Sequence, residues 1–209
     1  MLNSALSYAA RGWHIHPLIP NDKRPLLGGW PKQASISTEA IDLWWNNNPS
    51  ANIGIACGQA SNLVVLDFDC KNGAKGMDTL VTLEAKFNGL KTLRAQTPSG
   101  GVHLYFTYPA QPLGNKVGVM AGLDIRSDNG YVAAPPSVIP QGAYTWVNDE
   151  QPAELPQELL EMLRSVPVES PLKSESNAIP EGRRNETLFR HACALGDGLR
   201  YGKSKPFKP

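Results

Sequence analysis

The sequence contains few cysteines and no long apolar segment. Its three cysteines, Cys57, Cys70 and Cys193, are far apart and odd in number, which argues against a disulfide framework. None of them is spaced like the paired ligands of a structural zinc site, so we expect no bound zinc. No segment approaches the roughly 20 apolar residues that cross a bilayer, and the N-terminus lacks the features of a secretory signal. These absences predict a cytoplasmic protein with no membrane partner.

The sequence also lacks a strong net charge. The formal net charge is +1, with 41% hydrophobic and 19% charged residues, which is typical of a globular protein. Basic residues nevertheless outnumber acidic ones from residue 182 onward. Such a basic tail can neutralise nucleic-acid phosphates, although a solvated helix face and a chain terminus explain it equally well.

Apolar periodicity predicts an α+β domain with a largely antiparallel sheet over residues 1–165. The predicted helices cover residues 2–11, 37–48, 77–87 and 156–163, and the predicted strands cover residues 13–19, 52–57, 63–68, 92–97, 102–108, 123–126, 131–134 and 143–147. Residues 98–101 join two of these strands as a hairpin turn. Residues 166–180 are rich in Pro, Ser and Glu and are typical of a linker. Residues 181–209 form a basic segment with helical periodicity, interpreted as the start of an incomplete helical region.

A pair of carboxylates follows the most apolar predicted strand. Asp67 and Asp69 come directly after Leu63–Leu66, and the two-residue period of a strand places both side chains on the same face. Adjacent carboxylates repel each other, and Mg²⁺ or Mn²⁺ bound between them removes that repulsion. The alternative is a strand end with two exposed acids.

A third carboxylate lies on a later predicted strand, beside an arginine on the same face. Asp124 is two residues before Arg126. A third carboxylate completes many sites that hold two metal ions against a phosphate, and an arginine can bind a phosphate bidentately. A structural Asp–Arg ion pair is the alternative interpretation.

A glycine-containing turn precedes the strand that carries His103. Ser99, Gly100 and Gly101 combine a small hydroxyl with glycines that let a phosphate approach the backbone. His103 follows two residues later. An ordinary tight turn and a core histidine are the alternatives.

The order and spacing of these motifs resemble a known family. A strand ending in Asp67-x-Asp69, then Ser99-Gly-Gly-x-His103, then Leu123-Asp124 resembles the three motifs of the archaeo-eukaryotic primase superfamily. More narrowly, it is similar to the N-terminal domain of bifunctional primase-polymerases of phages and plasmids. Residues 5–31 and 130–137 also resemble the corresponding segments of that family, so that the resemblance covers roughly residues 1–165.

This resemblance implies a fold and a set of site residues. The implied fold is the primase-polymerase fold, in which the catalytic half resembles an RNA-recognition module and has flanking helices. Asp67, Asp69 and Asp124 would hold two divalent ions, Mg²⁺ or Mn²⁺, and would form the catalytic site together with His103. The residues implied to contact the nucleotide are Lys23, Ser99, Gly100, Gly101, His103 and Arg126.

The implied activity is a DNA-dependent primase-polymerase that adds nucleotides to a 3′-hydroxyl on a single-stranded DNA template. NTPs or dNTPs would be the substrates, phage or plasmid replication the context, and a replicative helicase domain or subunit a partner. In larger relatives the helical region after the linker helps initiation. Because that region is incomplete here, we expect primer extension more firmly than unaided priming.

Two other functions are compatible with parts of the sequence. His14 and His16 resemble the metal-binding strand of rolling-circle nickases, although no helical tyrosine clearly follows them. A non-catalytic module could instead bind single-stranded nucleic acid through Trp30, Trp44, Trp45 and the basic tail. This second interpretation gives no role to the three carboxylates.

Overall fold

The computed structural model of the chain describes residues 1–166. Within them, the helices are α1 (Leu2–Ala10), α2 (Thr38–Asn47), α3 (Gly76–Lys86) and α4 (Gln157–Ser165). The strands are β1 (Ile15–Leu18), β2 (Asn52–Ala56), β3 (Leu63–Phe68), β4 (Leu93–Gln96), β5 (Val102–Thr107), β6 (Lys116–Met120), β7 (Leu123–Arg126), β8 (Tyr131–Ala134), β9 (Val138–Ile139), β10 (Gly142–Ala143) and β11 (Thr145–Trp146). The predicted linker beyond residue 166 and the predicted segment 181–209 lie outside the described residues.

Six strands form the larger sheet, in the order β11-β4-β5-β3-β7-β6, and every neighbouring pair is antiparallel. The predicted α+β class with a largely antiparallel sheet is therefore confirmed. The central order β4-β5-β3-β7, with α3 and α4 on one face, agrees with the expected similarity to an RNA-recognition module. One difference is that α4 follows all the strands, whereas a β-α-β-β-α-β module places its second helix before the last strand.

Alternation along β3 assigns its side chains to two separate cores. Val64 and Leu66 pack with the helices α3 and α4, while Leu63 and Val65 face the other way, into the core shared with the second sheet. Because side chains alternate along a strand, Asp67 continues the row of Leu63 and Val65. This carboxylate therefore lies where the core between the two sheets ends.

The second sheet has the order β1-β2-β8 and is antiparallel throughout. Helices α1 and α2 pack with it around buried aromatic side chains such as Trp13 and Trp45. The hydroxyl of Tyr8 on α1 donates to the Pro135 carbonyl oxygen at 2.5 Å and accepts from the Trp146 indole at 2.8 Å. Tyr8 thus connects the chain after β8 with β11 of the larger sheet.

The chain departs from the prediction in one divided strand and in two strands, β6 and β9, that the sequence did not predict. The predicted strand 143–147 is wrong as one element, because the chain divides at Tyr144 into β10, which pairs with β9, and β11, which pairs with β4. The Tyr144 N–H donates to the Ser137 carbonyl oxygen at 2.8 Å, and this bond fixes the break. The sequence also did not predict β6, in which Gly118 has a positive φ of 65° and interrupts the regular pairing.

No helix among residues 1–166 is both long and apolar enough to cross a membrane.

Candidate active site

A cavity of about 190 Å³ lies at the end of β3, between the two sheets. Its lining combines charged and hydroxyl-bearing side chains with aromatic and small apolar ones. The lining residues are Lys23, Asp67, Asp69, Lys71, Thr97, Ser99, His103, Arg126, Tyr131, Val132, Ala133 and Tyr144. The structure therefore brings together most of the site residues predicted from the sequence.

Asp67 and Asp69 both line this cavity, as the two-residue period predicts. Asp67 is in β3, and Asp69 lies one residue beyond its end. The Asp69 backbone N–H donates to the Gly122 carbonyl oxygen at 2.8 Å, and its carboxylate accepts from the Lys71 N–H at 2.9 Å. These bonds hold the chain after β3 and leave the carboxylate beside the cavity.

Asp67 is surrounded by positive or polar partners that stabilise its charged form. Its Oδ1 lies 3.4 Å from the His103 Nε2, and its Oδ2 lies 3.5 Å from the Arg126 Nη2. Burial opposes ionisation, but the neighbouring His103, and after it Arg126 and Lys23, outweigh burial and lower the pKa of Asp67 to about 2. Asp67 is therefore an anion at neutral pH, as a metal ligand must be.

Asp124 and Arg126 form an ion pair next to Asp67. Asp124 is the register partner of Asp67 across β3 and β7. The Arg126 Nη2 donates to the Asp124 Oδ2 at 2.7 Å, and the Asp124 Oδ1 accepts from the Gly118 N–H at 2.8 Å. Arg126 lines the cavity, whereas Asp124 does not. The arginine thus supplies the positive charge between the two carboxylates.

The structure does not gather the three carboxylates into one ligand set. No group of three His, Cys, Asp or Glu side chains in the described part of the chain is close enough together to hold a metal ion. The donor chemistry still fits a hard divalent cation, since Asp67 and Asp69 present carboxylate oxygens to one cavity. Asp124 would act as a third ligand of such a cation only if its ion pair with Arg126 were broken.

The turn between β4 and β5 lines the cavity with hydroxyl groups, whereas its two glycines do not line the cavity. Thr97 and Ser99 line the cavity, and their hydroxyl oxygens are 3.2 Å apart. Gly100 has a positive φ of 84°, and Gly101 packs so closely on the Phe68 carbonyl that a Cβ there would overlap it. Gly100 and Gly101 do not line the cavity, so they act on the site by shaping the turn.

His103 is buried on β5, directly opposite Asp67 in the strand register. Its Nε2 faces Asp67, and its Nδ1 has no hydrogen-bond partner among residues 1–166. The ring lies 5.8 Å from that of Tyr144, between centroids. His103 is thus placed to orient the Asp67 carboxylate.

Two lysines lie on the cavity wall, and the sequence predicted only one of them. Much of Lys23 remains exposed, but partial burial of its ammonium and then the adjacent Lys71 lower the pKa of Lys23, against the effect of Asp67 and Asp69. Two neighbouring ammonium groups repel each other unless an anion lies between them. Lys71 was not predicted as a site residue. It follows Asp69 by two residues, and this closeness to the carboxylate pair is the feature of the sequence that could have indicated it.

An aromatic wall was also missing from the prediction. Tyr131 begins β8, and its hydroxyl donates to the Lys23 carbonyl oxygen at 2.9 Å. Tyr144 lies at the break between β10 and β11, and burial raises the pKa of its hydroxyl. Tyr131 was part of a segment that resembled the family, but no local pattern around Tyr144 indicated a site.

The two histidines of the alternative nickase interpretation lie outside the cavity. His16 is fully buried on β1 and stacks on Trp30 with a centroid distance of 4.4 Å. Neither of its ring nitrogens has a hydrogen-bond partner in the described residues. Of the tryptophans in the nucleic-acid-binding alternative, Trp45 belongs to the core, where its indole donates to the Ala51 carbonyl oxygen at 3.0 Å.

The chain is similar to one known protein family. The family model of the bifunctional DNA primase/polymerase N-terminal domain matches residues 5–158, well over half of the chain. No curated protein is similar enough to the chain to count as a match.

Proposed function

The chain belongs to the bifunctional DNA primase/polymerase family, and we propose that it adds nucleotides to the 3′-hydroxyl of a strand paired with a single-stranded DNA template. One observation carries the proposal: two carboxylates, three cationic side chains and four hydroxyl-bearing side chains line a single cavity at the end of β3. A nucleoside triphosphate with divalent cations complements such a mixture of charges.

The cationic side chains are proposed to bind the triphosphate. Lys23 and Lys71 lie close together, and Ser99 adds a hydroxyl donor from the turn. Lysine binds phosphate as a point charge, whereas the guanidinium of Arg126 can bind two oxygens at once. Binding of the triphosphate would also relieve the repulsion between the two lysines.

The carboxylates are proposed to hold Mg²⁺ or Mn²⁺, with Asp67 and Asp69 as ligands in the cavity and Asp124 as the third. Such ions, when bound, neutralise phosphate charge and lower the pKa of the attacking hydroxyl. Asp67 offers an ionised carboxylate, because its neighbours keep its pKa at about 2. His103 orients that carboxylate through its Nε2.

The proposed reaction is an in-line displacement. The 3′-hydroxyl oxygen forms a bond to the α-phosphorus, the bond from the α-phosphorus to the bridging oxygen breaks, and pyrophosphate leaves while the hydroxyl proton passes to solvent. The cavity residues contribute chiefly by positioning the reactants and balancing charge. We propose NTPs or dNTPs as substrates, and a replicative helicase of a phage or plasmid as partner.

The test is primer extension by the whole chain. A labelled primer annealed to a longer DNA template is incubated with dNTPs or NTPs and with Mg²⁺, Mn²⁺ or a chelator, and an unprimed template is run in parallel. We expect extended primer with either metal and none with the chelator. Absence of extended product under every condition, together with retained DNA binding, would instead favour the non-catalytic nucleic-acid-binding module.

A further inference from the structure

A second cavity lies beside the proposed active site, on the other side of an aromatic contact. This cavity, called the side pocket here, has a volume of about 200 Å³. Its lining includes Trp30, His14, Pro31, Ala34, Ala60 and Asn129. The volume is below the range of about 300–1,000 Å³ typical of pockets for whole small-molecule ligands, so the side pocket fits a single ring system better than a complete nucleotide.

Trp30 connects the side pocket to the catalytic cavity. One face of its indole stacks on His16, and its ring lies 4.8 Å from that of Tyr131, which lines the catalytic cavity. Trp30 remains partly exposed to solvent. The Tyr131 hydroxyl is bound to the Lys23 carbonyl, so the segment that carries Lys23 and Trp30 is attached to β8 between the two cavities.

The chemistry of the side pocket suits an uncharged aromatic ring with polar edges. None of the residues that line it is a lysine or arginine, and the carboxylate it contains, Asp128, accepts hydrogen bonds from the Gln59 N–H and the Tyr108 hydroxyl. A phosphate would therefore meet a negative charge without compensation. Trp30, Pro31 and the alanines instead offer flat apolar surface.

His14 supplies a polar group in this wall that lacks a partner. Its Nδ1 is buried and has no hydrogen-bond partner within residues 1–166. Buried ring nitrogens without partners are uncommon in folded proteins. Because the His14 Nδ1 is closed to solvent in this structure, a base in the pocket would pair with it only after the imidazole turns toward the pocket. The donors and acceptors along a base edge suit either tautomer of the histidine.

From these contacts we propose that the side pocket holds an unpaired base of the template strand, packed against Trp30 and adjacent to the catalytic cavity. The identification of the strand as template rests on the proposed function. Base–aromatic packing tolerates any base sequence, so this site would hold the strand without selecting a sequence.

The test measures binding of labelled single-stranded DNA by fluorescence anisotropy, without nucleotide or metal. Wild type is compared with Trp30→Ala, Trp30→Phe and Trp44→Ala, whose tryptophan is partly buried on α2 and lines neither cavity. Each variant is checked by circular dichroism and thermal melting. A second strand of equal length carries abasic sites throughout, so it offers the same phosphates without bases.

We expect Trp30→Ala to weaken binding of normal DNA about tenfold, the change that loss of one stacked base produces, and to leave binding of the abasic strand unchanged. Trp30→Phe keeps an aromatic face and should bind within about threefold of wild type. Trp44→Ala should match wild type. Equal binding of normal DNA by wild type and a folded Trp30→Ala would overturn the proposal, as would equal losses on both strands.

Competition distinguishes a template base from a free nucleotide. Deoxyadenosine monophosphate is added to the wild-type complex at increasing concentration. We expect it to displace the strand poorly, because a single nucleotide lacks the adjoining backbone contacts. Displacement that depends on Trp30 at a concentration typical of nucleotide substrates would overturn the assignment to a template. This test measures binding only. The side-pocket proposal can therefore fail while primer extension is observed, and it can hold while primer extension is absent.

Discussion

Arg126 lies between the carboxylates of Asp67 and Asp124 and supplies the positive charge that balances them. It contacts Asp124 at 2.7 Å and Asp67 at 3.5 Å, and all three side chains are less than a third exposed. From the sequence, Arg126 was predicted to bind the triphosphate, with an ion pair to Asp124 as the alternative, and the structure contains that ion pair. The same guanidinium balances Asp67 and Asp124 in this structure and is proposed to bind the triphosphate, so a bound phosphate would compete with the two carboxylates for it.

Replacing Arg126 with Gln should therefore make the protein depend on a divalent cation for stability. In a chelator, the uncompensated carboxylates should lower the free energy of unfolding by about 1–3 kcal/mol. Millimolar Mg²⁺ should raise the melting temperature of Arg126→Gln by several degrees more than that of wild type. The matched control is Arg24→Gln, which breaks an exposed ion pair with Asp22; an equal effect of Mg²⁺ on all three proteins would contradict the account.

His16 makes folding sensitive to mildly acidic pH. Burial lowers its pKa to about 4 in the folded chain, against about 6.5 in the unfolded chain. Because the folded pKa is the lower one, this contribution to stability is complete above pH 6.5 and decreases as the pH falls toward 4. The expected loss is about 3 kcal/mol over that interval.

The His16→Phe variant tests this dependence, since phenylalanine keeps a ring beside Trp30 and cannot bind a proton. Urea unfolding of wild type and variant is measured at intervals from pH 7.5 to 4. The difference in unfolding free energy between the two proteins should shift in favour of the variant as the pH falls. A difference that stays constant with pH would show that His16 does not titrate as described.

At the scale of elements, the turn after β4 fixes the end of β3. Gly101 lies against the carbonyl of Phe68, the residue between Asp67 and Asp69. The contact leaves no room for a methyl group, so a side chain at residue 101 must displace either the turn or the carboxylate pair. The absence of a side chain at residue 101 therefore lets the turn lie against the end of β3, where Asp67 and Asp69 are placed.

Gly101→Ala should reduce primer extension at least tenfold, in addition to destabilising the fold. The control is Gly89→Ala, which has a positive φ of 86° and open space around its Cβ, and which should lose about 1–2 kcal/mol of stability from strain alone. Thermal melts give the melting temperature of each variant. Extension rates are then compared at one temperature below both melting temperatures. Similar extension rates for the two variants would contradict the role assigned to Gly101.

Local sequence patterns predicted some elements closely and missed others for identifiable reasons. The bounds of β3, β7 and β8 agree with the predicted strands, because each is a short apolar or alternating run between turn residues. β6 was missed because Gly118 breaks its pattern. Residues 143–147 divide because Ala143 pairs with Val138 whereas Thr145 and Trp146 pair with β4, and periodicity does not encode this change of partner.

At the scale of the whole molecule, the cavity results from pairings between distant parts of the chain. β2 pairs with β8, so Ile53 lies opposite Ala134, and this pairing brings Tyr131 to the cavity wall. Alternation of side chains predicts which face of a strand is buried but not which strand covers it. The sequence therefore predicted the carboxylates, Lys23 and Arg126, whereas Lys71 and the aromatic wall required the structure.

The near-zero net charge of the chain does not show how its charged side chains are distributed. Three cationic side chains and two carboxylates line one small cavity, although the whole chain carries only +1. Opposite charges cancel in the sum over the whole chain, yet each charged group still acts on a ligand that lies in contact with it. Net charge was thus a poor guide to the charges that line this cavity.

The most direct test of the central claim is primer extension by Asp67→Asn beside Asp149→Asn, an exposed carboxylate that lines neither cavity. We expect Asp67→Asn to lose at least about a hundredfold in extension rate with Mg²⁺ or Mn²⁺, while its binding of single-stranded DNA stays close to that of wild type. Asp149→Asn should extend primers normally. Undiminished metal-dependent extension by a folded Asp67→Asn protein would contradict the assignment of nucleotide addition to this carboxylate pair.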